Sequence, residues 1–83
     1  MNGTPYKLPA NLDPDIKIDR AAGAVYAKLS SKPFSRTVLV RDDEIVATCD
    51  LAEDGEIIGI EVVGSTENNL EKILELAGIP GQV

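Results

Sequence analysis

The chain has 83 residues, with eight Lys and Arg, fourteen Asp and Glu and no His, so its formal net charge at pH 7 is −6. That length leaves room for one domain with a small core, which association with another copy or with a partner would stabilise. The single cysteine, Cys49, excludes an intrachain disulfide, and the acidic balance argues against nucleic acid as a partner, because phosphate binding relies on a basic patch.

The N-terminal segment 1–14 contains three prolines, at positions 5, 9 and 14. Proline fixes φ and lacks an N–H donor, so neither a helix nor a central strand continues through this segment. Tyr6 is one of its few apolar anchors. We expect residues 1–14 to form an extended arm, either loose or lying on a neighbouring surface, and residues 15–83 to form the folded domain.

Residues 15–63 alternate between apolar and polar side chains, the period that places every second side chain on one face of a β-strand. The pattern predicts five strands, at residues 15–19, 24–29, 36–41, 44–51 and 56–63. Each connection is too short for a parallel crossover, so we expect neighbouring strands to run antiparallel, as a β-meander. Gly55 is expected at positive φ in the last turn, and Gly59 marks a bulge or a close approach of a helix backbone.

A single helix is predicted near the C-terminal end, because the apolar period lengthens there from two to about 3.6 residues. Ser65 or Thr66 is expected to cap a helix over 67–77 that ends at Gly78 and Pro80. One apolar stripe, which one face of the sheet must bury, consists of Leu70, Ile73, Leu74 and Ala77. The predicted fold class is α+β, an antiparallel β-meander of about five strands packed on one C-terminal helix.

No set of side chains in the sequence makes a recognisable catalytic site. Cys49 has no histidine to activate it, and its position in a strand predicts a buried thiol. Segment 50–61 has acidic residues at some spacings of a calcium loop, but Ala52 stands at a ligand position and the flanks are strands. We therefore expect no catalytic, cofactor-binding or metal-binding residues and no cofactor, and we expect the turn carboxylates to serve hairpin geometry and solubility.

Tyr26 is the aromatic residue whose position is most informative. It alternates with Val25 and Ala27, which places it on the opposite face of its strand. There it either packs beneath the helix, the interpretation we favour, or stands at an interface, where tyrosine is common. The candidate interface residues are Tyr6, Tyr26, Phe34, Asp42, Asp43 and Glu44.

The charges divide unevenly between the two halves of the chain. Residues 1–41 hold seven Lys and Arg against three Asp, whereas residues 42–83 hold eleven Asp and Glu against one Lys. Two interpretations stay open: a solvated surface on which the two signs face each other across strands, or an acidic face that docks a basic partner.

These features predict a non-enzymatic protein-binding or regulatory module that acts through a sheet edge or an acidic surface. One alternative is a self-associating homo-oligomer whose subunits join sheets through an edge strand, and another is a small metal-dependent hydrolase that uses the turn carboxylates. The N-terminal residues lack the apolar core of a signal peptide, and no apolar run approaches the roughly 18 residues that cross a bilayer. We therefore expect a cytoplasmic protein with no membrane partner.

Three stretches of the chain match the pattern of a known family. They are Ile18-Asp19-x₄-Ala24-Val25-Tyr26-x-Lys28-Leu29, then Thr37-Val38-x-Val40 with Asp43-x-Ile45-Val46, and finally Asp54-Gly55-Glu56-Ile57-Ile58-Gly59-Ile60-Glu61-Val62. Over residues 16 to about 65 the chain resembles the small bacterial and phage proteins grouped as domain of unknown function 2283.

That resemblance implies the β-meander and brings no agreed activity. Some members of the family are encoded beside small toxin-like proteins, which implies an antitoxin-like binding role. A phage-encoded inhibitor is the other form that we expect of a protein-binding module here. The family usually has an acidic residue where this chain has Gly23, and a large aliphatic residue where it has Ala27.

Overall fold

The computed structural model describes residues 6–10 and 13–79 of the protein. The elements within those ranges are β1 (Asp15–Asp19), β2 (Ala24–Lys28), β3 (Arg36–Asp42), β4 (Val46–Leu51), β5 (Ile57–Val63) and α1 (Leu70–Leu76). The strands form one sheet in the order β1-β2-β5-β4-β3, and all neighbours are antiparallel. The predicted α+β class, with five antiparallel strands and one C-terminal helix, is confirmed.

The strand order departs from the chain order at one place, the connection between β2 and β3. Residues 29–35 follow β2 and cross the ends of β5 and β4, so that β3 lies at the far edge of the sheet. The backbone N–H of Leu29 donates to the carbonyl of Ile58 at 2.8 Å, and that of Ser35 donates to Leu51 at 2.8 Å. This crossing lets β5, the most apolar strand, take the centre of the sheet, where both of its edges are paired.

Two glycine expectations are resolved in the hairpin that joins β4 and β5. Gly55 has a φ of 90°, as the turn pattern predicted. The pairing then carries an extra residue, Ile58, because Leu51 faces Ile57 whereas Asp50 faces Gly59. The bulge thus lies one residue before Gly59, and it allows Ile57 and Ile58 both to be buried.

One face of the sheet packs against the helical segment and forms the core. Strand register aligns the inward side chains in rows, for example Ala27, Ile60 and Cys49. The buried cluster consists of Val25, Ala27, Leu29, Ala47, Cys49, Leu51, Ile57, Ile60, Val62, Ile73, Leu74, Ala77 and Ile79. The guanidinium of Arg41 in β3 donates to the carbonyl of Leu76 at 2.9 Å, which satisfies a terminal acceptor of α1.

The helix is shorter than the sequence pattern predicted. Its N-cap is Asn69, whose side chain accepts the N–H of Lys72 at 3.2 Å, so the predicted caps Ser65 and Thr66 are wrong. Ser65 instead accepts the N–H of Glu67, a local turn that competes with helix formation.

Part of the N-terminal segment lies on the domain itself. The backbone of Lys7 donates to Gly55 at 3.1 Å and accepts from Ile57 at 2.8 Å, which forms an isolated parallel bridge beside the start of β5. Tyr6 and Leu8 pack against the core cluster. Residues 1–5 and 11–12 of the expected arm lie outside the described residues.

Candidate functional site

The second face of the sheet has no element packed on it among the residues that the structure describes. Directly opposed residues of an antiparallel pair point to the same face, so the register identifies this surface. We call it the open face; its positions are Asp15, Lys17, Asp19, Ala24, Tyr26, Lys28, Thr37, Leu39, Asp42, Val46, Thr48, Asp50, Gly59, Glu61 and Val63.

A hydrogen-bonded group lies near the centre of the open face. The hydroxyl of Tyr26 donates to Oδ2 of Asp50 at 2.9 Å, and the hydroxyl of Thr37 donates to Oδ1 at 2.7 Å. Tyr26 reaches Asp50 across Gly59, where a Cβ would overlap the phenol oxygen and ring. The close approach that Gly59 permits is therefore made by a side chain of the neighbouring strand rather than by a helix backbone. The two donors hold the Asp50 carboxylate in one orientation.

Tyr26 lies opposite the helix, so the interpretation that we favoured, packing beneath the helix, is wrong. Its side chain is half-buried because it lies against the sheet rather than under another element. Partial burial, the hydrogen bond to Asp50 and the negative charges of Asp50 and Glu61 raise the pKa of Tyr26 to about 12.

The open face combines an acidic balance with exposed apolar side chains. Five acidic residues stand on it, Asp15, Asp19, Asp42, Asp50 and Glu61, against two basic ones, Lys17 and Lys28. Within the described ranges Asp50 forms no ion pair with any Lys or Arg. Leu39 is 57% exposed and Val63 39% exposed, large fractions for aliphatic side chains in a sheet.

The candidate interface residues do not gather at one place. Tyr26 and Asp42 lie on the open face, and Asp43 and Glu44 follow in the turn between β3 and β4. The carboxylate of Asp43 accepts the backbone N–H of Ile45 at 2.9 Å and pairs with Arg41 at 3.0 Å, and both contacts lower its pKa. Asp43 therefore serves the turn, as its sequence context suggested.

The other two candidates, Tyr6 and Phe34, lie away from the open face. Tyr6 packs against the core cluster. Phe34 is 61% exposed in the crossing segment 29–35, and a charged contact of Lys32 holds the same segment. There, Nζ of Lys32 bonds Asp54 at 2.8 Å and Glu56 at 3.1 Å, and the Lys32 bond together with the Glu56 backbone N–H lowers the pKa of Asp54 to about 2.

Cys49 and the acidic side chains are the groups that bear on nucleophilic and metal chemistry. Cys49 is fully buried, and burial followed by the charge of Asp50 raises the pKa of its thiol to about 11. Among residues 6–10 and 13–79, no three His, Cys, Asp or Glu side chains are grouped so that they could hold a metal ion. In the same residues, no helix has the length and apolar character needed to cross a bilayer.

Sequence reasoning missed most of the open-face residues. The sequence pattern marks Asp50 only as a calcium-loop position and a turn carboxylate, and it marks Thr37, Leu39 and Val63 only as strand residues. Their outward orientation is readable from the alternation, but their assembly around Tyr26 depends on β2 and β4 flanking β5, which chain order does not indicate.

Comparison with protein-family models, curated proteins and solved structures finds no match for this chain. The resemblance to domain of unknown function 2283 therefore stays a prediction.

Proposed function

We propose that this protein is a non-enzymatic protein-binding module whose open face holds a partner surface that carries aliphatic and basic side chains. One observation supports the proposal above the others. Exposed Leu39 and Val63 stand on the same uncovered sheet face as Asp50, a half-buried carboxylate that two hydroxyls orient and that no described cation neutralises.

The shape and composition of the open face suit a protein partner. Small-molecule sites are usually concave, whereas five strands side by side present a broad surface of the kind found in protein interfaces. Apolar side chains on such a surface contribute to binding by losing contact with water. Leu39 on the edge strand β3 and Val63 on the central strand β5 provide such contacts, and the half-buried ring of Tyr26 lies on β2, on the other side of β5 from Leu39.

The carboxylate of Asp50 determines the chemistry expected of the partner. Covering the face removes water from this charge, which is costly unless a cation replaces the water. Each carboxylate oxygen accepts one hydroxyl and retains a free lone pair, so an arginine or lysine of the partner can bond Asp50 without displacing Tyr26 or Thr37. A small domain that covers a partner's surface in this way acts as its regulator or inhibitor.

A selection of random peptides displayed on phage, with the wild-type protein as target, tests the proposal. We expect enriched sequences in which Arg or Lys lies next to Leu, Ile or an aromatic residue. A synthetic copy of the most enriched peptide is expected to shift the amide NMR signals of Leu39, Thr48 and Asp50 and to leave those of α1 in place.

Three variants make the binding test specific to the open face. Leu39→Glu and Asp50→Asn are each expected to weaken binding of the synthetic peptide at least about tenfold, and the helix-face control Glu71→Gln to leave it unchanged. Circular dichroism establishes that each variant is folded. Absence of enrichment, an acidic consensus, or signal shifts confined to α1 would overturn the proposal.

A further inference from the structure

The two edges of the sheet differ in regularity. In β3 an extra residue, Val40, interrupts the pairing, because Leu39 faces Thr48 whereas Arg41 faces Ala47. A bulge bends an edge strand and breaks the regular row of N–H and C=O groups that another strand needs. The other edge strand, β1, pairs with β2 without a register shift. β1 is therefore the edge better suited to accept a further strand.

The hydrogen bonds of β2 determine which backbone groups of β1 are free. Leu29 N–H bonds Ile58, and Gly64 N–H bonds Gly23, each at 2.8 Å, so the odd-numbered residues of β2 face β5. Neighbouring residues of an antiparallel strand face opposite sides, so the even-numbered residues of β2 bond the odd-numbered residues of β1. The N–H and C=O groups of Ile16 and Ile18 consequently point away from the sheet.

The charged side chains of β1 alternate in sign along the strand, so two antiparallel copies of β1 can place opposite charges side by side. Asp15, Lys17 and Asp19 lie exposed on the open face, whereas Ile16 and Ile18 are half-buried on the core face. Antiparallel pairing of two β1 strands about Ile18 sets Lys17 opposite Asp19 of the second copy, and the symmetry repeats this ion pair. It also sets the two Ile18 side chains against each other and uses their free backbone groups.

Other registers of the same pairing are less favourable. A centre at Lys17 places two lysines opposite each other and Asp15 opposite Asp19, so every charge meets its own sign. A centre at Ile16 brings Pro14, which has no N–H, to a hydrogen-bonding position. Like charges disfavour the register centred on Lys17 and the missing N–H of Pro14 disfavours the one centred on Ile16, which leaves the register centred on Ile18.

We propose that a second copy of this chain binds along β1, antiparallel and centred on Ile18, so that the two sheets become one continuous sheet. The two-fold axis of this dimer runs perpendicular to the sheet, which keeps both open faces on the same side. If the open face binds a partner as proposed above, the dimer presents two such faces together and gains avidity for a repeated or elongated partner.

Charge reversal at Lys17 and Asp19 tests the dimer through its own symmetry. Analytical ultracentrifugation at up to about 1 mM protein, a range that detects millimolar Kd values, is expected to show the mass of the wild type rising with concentration toward that of two chains. Lys17→Glu alone and Asp19→Lys alone are each expected to stay monomeric. An equimolar mixture of the two variants restores both opposite-charge pairs in a heterodimer and is expected to regain the doubled mass.

A control with an equal charge change separates this contact from other modes of association. Glu71→Lys, on the exposed side of α1, is expected to dimerise as the wild type does. The proposal is overturned if the wild type stays monomeric up to about 1 mM, if Lys17→Glu dimerises as tightly as the wild type, or if the mixture stays monomeric. The dimer is tested by mass at β1, whereas peptide binding is tested at Leu39 on β3 and Asp50 on β4, so the two proposals fail independently.

Discussion

The hydroxyl of Tyr26 donates a 2.9 Å hydrogen bond to Asp50 across a strand that lies between them. That strand is β5, and Gly59 is the residue over which the phenol passes. Tyr26 and Asp50 are 24 positions apart in the chain, and the residues next to each of them do not predict the contact. Together with Gly59 they form one unit of the open face.

Replacing Gly59 by alanine is expected to destabilise the protein by about 1–3 kcal/mol, because the new methyl group occupies the space of the phenol. In a Tyr26→Ala background the same replacement is expected to be neutral or to stabilise by up to about 1 kcal/mol, since glycine is unfavourable inside a strand. Urea denaturation of the four proteins measures the coupling. An equal cost of Gly59→Ala in both backgrounds would show that Tyr26 does not lie over Gly59.

The raised pKa of Tyr26 makes stability depend on pH in alkali. The folded state holds the phenol proton up to about pH 12, whereas the unfolded chain releases it near its ordinary pKa of 10.0. The folded state therefore binds more protons between pH 10 and 12, and the free energy of unfolding falls as pH rises through that window. Below pH 10 the contribution is fully present.

Tyr26→Phe isolates this effect. We expect it to be less stable than the wild type by about 1 kcal/mol at pH 8, and the difference is expected to shrink as pH rises from 10 to 12. Urea midpoints at several pH values provide the measurement. A difference that stays constant over the window would contradict the assigned pKa.

The contact of Lys32 with Asp54 and Glu56 ties the crossing segment to the hairpin between β4 and β5. In Lys32→Met the pKa of Asp54 is expected to rise from about 2 toward 3.8, without reaching it because the Glu56 N–H bond remains. A carboxylate with a lowered pKa stabilises the fold above its ordinary pKa, and the contribution is lost as pH falls toward 2. The variant should therefore lose less stability than the wild type on acidification.

Side-chain carboxyl NMR titration measures the Asp54 pKa directly. Lys72→Met, which removes the exposed pair of Lys72 with Glu75 on α1, is the matched control and is expected to leave Asp54 unchanged. An Asp54 pKa that is the same in Lys32→Met as in the wild type would disprove the contact.

Burial is expected to make Cys49 unreactive in the folded protein. With a pKa of about 11 only roughly one thiol in a thousand is ionised at pH 8, and the sulfur is out of reach of reagents. Alkylation by iodoacetamide should therefore proceed only through unfolding and accelerate with added urea. The control is Thr48→Cys with Cys49→Ala, which places the thiol on the open face and should react at once; equal rates for the two thiols would refute the burial.

The sequence pattern identified the strands more accurately than the helix. Strand boundaries follow from the alternation of side chains, and this alternation does not depend on which strand is the neighbour in the sheet. The start of the helix depends on a competition between local turns: the backbone N–H of Glu67 donates to the Ser65 side chain, and the helix begins only after its N-cap Asn69. Helix propensity alone does not predict which of the competing local hydrogen bonds forms.

The sequence by itself determined that this chain makes five antiparallel strands and one helix, and which residues of each strand share a face. Both follow from local physics, because side-chain period and turn length are properties of short segments. Only the tertiary structure decided that β2 lies beside β5 instead of β3, which face the helix covers, and hence that Tyr26 reaches Asp50 on an uncovered surface. Those outcomes depend on which strand order places the most apolar strand, β5, at the centre of the sheet. That choice is set by the free energy of the whole fold, and no single segment determines it.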